Sequence, residues 1–89
     1  MGQEALMRLV LIEWLDSYGC TTGWKSLDDV TPDVLTVRSV GWLLHDTELV
    51  KVIVPHLVEP NAETRIAAQG RGDMTIPCAA IISVKDIAA

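Results

Sequence analysis

The 89-residue chain has no phenylalanine, one tyrosine, three tryptophans and two cysteines, and its seven lysines and arginines are outnumbered by twelve aspartates and glutamates. Each scarcity excludes something. A net charge of −5 argues against a protein that gains affinity by neutralising phosphates along a nucleic acid, because that contribution needs clustered cations. Duplex DNA is therefore not an expected partner. A single small anion is different, since two or three arginines and a few backbone N–H groups suffice locally whatever the net charge. Cys20 and Cys78 stand far apart, without C-x-x-C or Cys/His spacing, so no zinc site is expected and both read as reduced thiols. The opening MGQEALMRLVLIEWLDS lacks the basic n-region and clean apolar stretch of a signal peptide, and its apolar run is too short to cross a bilayer. Gly2 also lacks the downstream Ser or Thr of a myristoylation motif. The expectation is a cytoplasmic protein without a membrane partner.

What is present is aliphatic. Hydrophobic residues make up 49% of the chain, chiefly Val, Ile and Leu, which is too much for a disordered tail. A chain of this length forms one domain, here residues 1–89, and buries only about 60 to 65% of the surface its unfolded form exposes. Its core is small, and self-association into a homo-oligomer would bury more.

The patterning is that of strands. In the first apolar run the polar residues Glu4, Arg8, Glu13 and Asp16 scatter around a helical wheel, so the spacing predicts a strand over 8–16 preceded by a frayed leader, 1–7. Ser26-Leu27-Asp28-Asp29 reads as a short capping box, and with Thr31-Pro32-Asp33 it predicts one or two helical turns within 26–33. VLTVRSVGWLLH and LVKVIVPHLV, joined by Asp46-Thr47-Glu48, predict a long hairpin, with Gly41 marking a sharp bend or close approach and Pro55 an edge. Glu59–Glu63 reads as a loop, Arg65–Gln69 as a weak strand and Gly70-Arg71-Gly72 as a turn. DMTIP and AAIISVKDI then make two short strands interrupted at Pro77-Cys78-Ala79 by a single 3₁₀ turn. The expected fold is all-β: a small, strongly bent, five- to six-stranded open barrel with one short helical turn.

Two resemblances follow from particular residues. The tail DMTIPCAAIISV, Asp73 to Val84, resembles the last two strands of bacterial Hfq and other Sm-like proteins, where a short strand, a 3₁₀ corner and a final strand close a bent barrel. That resemblance implies shape. Hfq-like RNA pockets rely on a Lys-His pair at this corner, whereas here it reads Pro77-Cys78-Ala79-Ala80. The ordered series W-x-D-S at 14–17, G-W at 23–24, S-L-D-D at 26–29, R-S-V-G-W-L at 38–43 and M-T-I-P at 74–77 is similar to a family of small tailed-phage and prophage proteins. Some small phage proteins of this class act as sponges for nucleotide immune signals, and the resemblance implies that possibility by association.

Catalysis needs a nucleophile with a base, a metal site or a tuned carboxylate pair. His45 and His56 offer no metal-ligand spacing and read as rim histidines, while Asp28, Asp29 and Asp33 read as turn caps. No catalytic residue, metal site or cofactor is expected. Binding has better candidates. Tyr18 and Trp24 flank a glycine-rich loop and suit base stacking, and Ser17 beside them suits a base edge or a ribose hydroxyl. Arg65, Gln69 and Arg71 suit phosphate or ribose, with Gly70 and Gly72 giving close backbone access. Each also has a plainer reading, Arg71 as the solvent-facing tip of a turn and Trp24 as a lid on the barrel. Trp14 and Trp42, among apolar neighbours, read as core. The expected function is non-enzymatic sequestration of a small anionic, nucleotide-type ligand between subunits. An oligomeric structural or protein-interaction module and an Sm-like RNA-binding protein are the alternatives.

Overall fold

The computed structural model describes residues 7–87; the expected leader lies mostly in 1–6, outside the described residues. Seven strands follow one another: β1 (Leu9–Asp16), β2 (Leu35–Asp46), β3 (Val50–Val54), β4 (His56–Val58), β5 (Gln69–Arg71), β6 (Met74–Pro77) and β7 (Ile81–Asp86). The only helical elements among the described residues are two single 3₁₀ turns, Leu27–Asp29 and Cys78–Ala80. No helix among them is long and apolar enough to cross a membrane. The all-β class expected from the β-branched runs is what the chain adopts.

Five strands form an antiparallel sheet in the order β6-β3-β2-β1-β7, and β4 and β5 form a separate ribbon. The sheet is open, since no described ladder joins β6 to β7, yet it is strongly curled. Its edge strands lie four strand spacings apart, about 19 Å if flat. One 3₁₀ turn, spanning only about 8 Å, connects Pro77 at the end of β6 to Ile81 at the start of β7. Curling brings Val10 and Ile12 of β1, Ile53 of β3 and Ile76 of β6 into one cluster, with Trp14, Leu43, Ile81 and Val84 packed around it.

Gly41 is where β2 turns the corner. It is buried, and a Cβ there would lie 3.1 Å from Ile53 Cβ and 3.1 Å from the Val54 carbonyl carbon. The close approach expected of this glycine is present. Trp14 lies on the core side, its indole N–H donating to Ser39 Oγ at 3.0 Å. Trp42 does not: it pairs with Leu9, one residue out of phase with the buried Val10, and so sits on the opposite face, half-buried. The core expectation for Trp42 is corrected by that one-residue phase.

Two further expectations change. Ser26 makes no side-chain cap, because in a three-residue 3₁₀ turn the Asp29 N–H that its hydroxyl would take already donates to the Ser26 carbonyl at 3.0 Å. Gly70-Arg71-Gly72 is not a turn. Gly70 and Arg71 belong to β5, paired with Leu57 and His56, and Gly70 is glycine because a Cβ there would come within 2.6 Å of Val54 Cγ1. The reversal lies at 62–65, closed by mutual backbone bonds between Asn61 and Ile66, with Asn61 Oδ1 accepting from the Glu63 and Thr64 N–H groups. Arg65, expected to open a weak strand, has φ +61° and ends that turn.

These pairings make a single long hairpin. Val50 pairs with Pro77, Ile53 with Met74, His56 with Arg71 and Val58 with Gln69, and Asn61 bridges to Ile66, so one register runs from sheet to tip. The break falls at Pro55, which has no N–H to donate, beside Gly72, whose φ is +79°. Beyond the break the ribbon leaves the sheet. At the end of β1 the chain likewise enters loop 17–34, all of it exposed. The molecule, with these two projections, measures 62 × 25 × 23 Å and has a radius of gyration of 17.7 Å. A compact chain of this length has a radius of about 12 Å.

Candidate functional site

Two hollows lie on the two projections. Loop 17–34 folds around the first, about 370 Å³, lined among others by Tyr18, Trp24, Lys25, Thr31 and Asp33. Directly after Tyr18 two successive residues take positive φ, Gly19 at +138° and Cys20 at +59°. Gly19 suits that conformation because it has no Cβ. Thr21 Oγ1 donates to the Gly23 carbonyl at 3.3 Å, and Thr31 Oγ1 to Asp33 Oδ2. Trp24 is 106% exposed and Tyr18 is 54% exposed. An indole with no covering atoms leaves its whole apolar face against water.

Electrostatics in this hollow are mixed. Lys25 supplies one cation and Asp33 one carboxylate. The Tyr18 phenol is pushed above its ordinary value, first by partial removal from water and then by the charge and hydrogen bond of Asp33. Tyr18 therefore keeps its phenol proton further into the alkaline range.

The second hollow, about 520 Å³, lies on the ribbon and is lined by His56, Val58, Gln69, Gly70 and Arg71. His56 pairs directly with Arg71, and Val58 with Gln69, so these four side chains share one face. Val58 provides the apolar side chain of this lining, while Arg71, Gln69 and His56 provide polar groups. A guanidinium with five donors beside a carboxamide suits an anionic or oxygen-rich group.

Of the six residues singled out from the sequence, Tyr18 and Trp24 come together in the loop hollow, and Gln69 and Arg71 in the ribbon hollow. Ser17 and Arg65 line neither. Ser17 is exposed at the loop's start, and Arg65 sits at the ribbon tip. The expected ligand residues thus lie on two separate surfaces of one chain. Arg38, another cation near the strands, is tied to Glu13 across β1 and β2 at 3.1 Å. Sequence reasoning passed over Lys25, Thr31 and Asp33 as site residues, and also His56 and Val58. For His56 the signal was there: Asn61, an Asx-turn former, puts the reversal at 62–65, and counting back from it places His56 opposite Arg71. Among the described residues no group of three or more His, Cys, Asp or Glu side chains converges as a metal site would.

Compared with known protein families, with curated proteins and with solved structures, the chain matches none.

Proposed function

We propose that the chain is the subunit of a self-assembling, non-enzymatic binding protein of phage or prophage type, built on a small open Sm-like or SH3-like barrel. It sequesters a small anionic, nucleotide-type ligand in the host cytoplasm. The observation that carries this reading is the completely exposed Trp24 beside Tyr18, over a hollow that also presents Lys25, Thr31 and Asp33. Stacking on such side chains is worth about 1 to 3 kcal/mol per base. Arg71 and Gln69 add charge-assisted and polar contacts to phosphate or ribose. Nanomolar retention requires about −12 kcal/mol, within reach of two stacks and several such contacts in a preformed site. The barrel draws support from the curl of the sheet and from the short strand, 3₁₀ corner and final strand formed by β6, Cys78–Ala80 and β7.

The test is retention. The purified protein is incubated with a panel of cyclic dinucleotides and cyclic ADP-ribose isomers, freed of unbound ligand, and heated to release what it held. Intact release of one member, lost in Trp24→Ala, is the expected result; failure to retain any member removes the ligand from the reading. A second reading, a structural or protein-interaction module, is favoured by one observation: β6 and β7 are sheet edges with no described partner on their outer sides. It predicts assembly and partner binding that Trp24→Ala leaves unchanged.

A further inference from the structure

The loop 17–34 and the ribbon 56–71 are each unfinished surfaces, and they complement one another. The loop exposes all of Trp24 and more than half of Leu27, Val30 and Val34, and it carries Asp28, Asp29 and Asp33 against the single cation Lys25. The ribbon offers a hollow lined by Val58 together with Arg71 and His56. Indole on an apolar side chain beside a guanidinium is a favourable cation–π arrangement, and neighbouring carboxylates pair with arginine. Within one chain the two hollows share no residue.

Surface area gives the scale of what is missing. A folded monomer of 9.7 kDa exposes about 5,100 Å². This chain exposes 7171 Å². The excess is about 2,000 Å², and the eight undescribed residues account for at most about 1,100 Å² of it even at the full exposure of an unfolded chain. A specific interface takes about 800 Å² from each partner, so a chain that uses loop and ribbon in two equivalent contacts buries about 1,600 Å².

We propose that loop 17–34 of one copy docks on the 56–71 ribbon of a second copy, with Trp24 seated over Val58 and Arg71. The proposal rests on the self-assembling part of the reading above and is independent of the ligand. It also explains why residues suited to one ligand lie on two surfaces: docking joins the Tyr18 and Trp24 wall of one copy to the Gln69 and Arg71 face of the next, making a composite site.

Native mass spectrometry and light scattering of the full chain, without ligand, test the docking. Wild type is expected to assemble at micromolar concentration, and Trp24→Ala and Val58→Asp each to weaken assembly at least tenfold, as loss of a buried interface anchor does. Both side chains are exposed in the subunit, so circular dichroism should show each variant folded. An equimolar mixture of the two variants should recover mixed complexes that neither forms alone, because one contact in each mixed pair is intact. A monomeric wild type, two variants that assemble like wild type, or a mixture without recovery would each overturn the proposal. Loss of assembly in Ile82→Lys, on the β7 edge, but not in Trp24→Ala would replace it with edge pairing. If the mixture recovers while ligand retention fails, the docking stands and only the ligand reading falls.

Discussion

β2 and β3 approach closely at Gly41, and Gly41→Ala tests whether the sheet bends there as described. The added methyl would meet Ile53 Cβ at 3.1 Å, the Val54 carbonyl carbon at 3.1 Å and the Val54 nitrogen at 3.2 Å. None of these atoms can rotate away, since two are backbone and the third is a Cβ fixed by it. Relief must come from parting the strands, at the expense of the Trp42–Val54 and Leu43–Ile53 pairs that hold the corner. Such overpacking costs about 1 to 3 kcal/mol. Alanine recovers about 0.4 to 1 kcal/mol by restricting the unfolded chain, leaving a net loss of about 0.5 to 2 kcal/mol.

Urea unfolding followed by tryptophan fluorescence, with Trp14 against the core as reporter, reads this loss directly. With a slope of about 1 kcal/mol per molar for a small domain, the midpoint should fall by about 0.5 to 2 M. Protein concentration is held constant because any self-assembly would contribute to apparent stability. Gly23→Ala is the control: a Cβ there meets nothing within 4 Å, and the midpoint should stay or rise slightly. An unchanged midpoint for Gly41→Ala would refute the close approach, and an equal loss in Gly23→Ala would show that the effect has nothing to do with the corner.

Glu13 is held below the ordinary glutamate range by hydrogen bonds from Arg38 and Ser83, so its contribution is complete above the ordinary value and is lost as pH falls through the lowered one. Thermal midpoints of Glu13→Gln should therefore fall less steeply than wild type on acidification from about pH 5 to 3; Asp46, lowered by Lys51, keeps some acid sensitivity in both. Tyr18, the chain's single tyrosine, should keep its proton above the ordinary value of about 10, and Asp33→Asn should bring its ionisation, followed by tyrosinate absorbance, back toward that value. A wild-type titration at the ordinary value would separate Tyr18 from Asp33. Thiol labelling should proceed in two phases, fast at exposed Cys20 and slow at half-covered Cys78, whose thiol donates to the Thr47 carbonyl at 3.4 Å; Cys20→Ser should remove the fast phase alone.

Where the sequence was legible, a period-two pattern and a single local cause coincided. β1 falls within one residue of the expected 8–16, and Gly41 and Pro55 act as a buried glycine and a donorless residue must. The ribbon was misread because its determinants are not local. Arg65–Gln69 looks like a strand by composition, and Gly70-Arg71-Gly72 looks like a turn, until the register set by β3 and β6 carries pairing past Pro55 and places Gly70 against Val54. Trp42 shows the same limit, since its apolar neighbours belong to both faces of β2 and only pairing with β1 tells which face it takes. Of the candidate site residues, Tyr18 and Trp24 fall in one hollow and Gln69 and Arg71 in the other. Their separation into two hollows was not legible, because it depends on how far each hairpin projects.

That projection is also the main energetic fact about the molecule. Ordering a residue's backbone costs about 1 to 2 kcal/mol, offset elsewhere in a fold by burial. Yet residues 17–34 are all exposed, as is the chain from Val58 to Thr75, and the described core amounts to Val10, Ile12, Ile53, Val54 and Ile76. Ladder bonds in the ribbon and the Asx turn at its tip recover part of that cost, but net hydrogen bonding in water is worth only about 0.5 to 1.5 kcal/mol each. The loop has less still: a 3₁₀ turn and two threonine hydroxyl contacts around an uncovered tryptophan. Under the docking proposed above, a second copy would bring the ribbon face for the loop and the loop for the ribbon in the same event, so that burying Trp24 and completing a composite site would be one step.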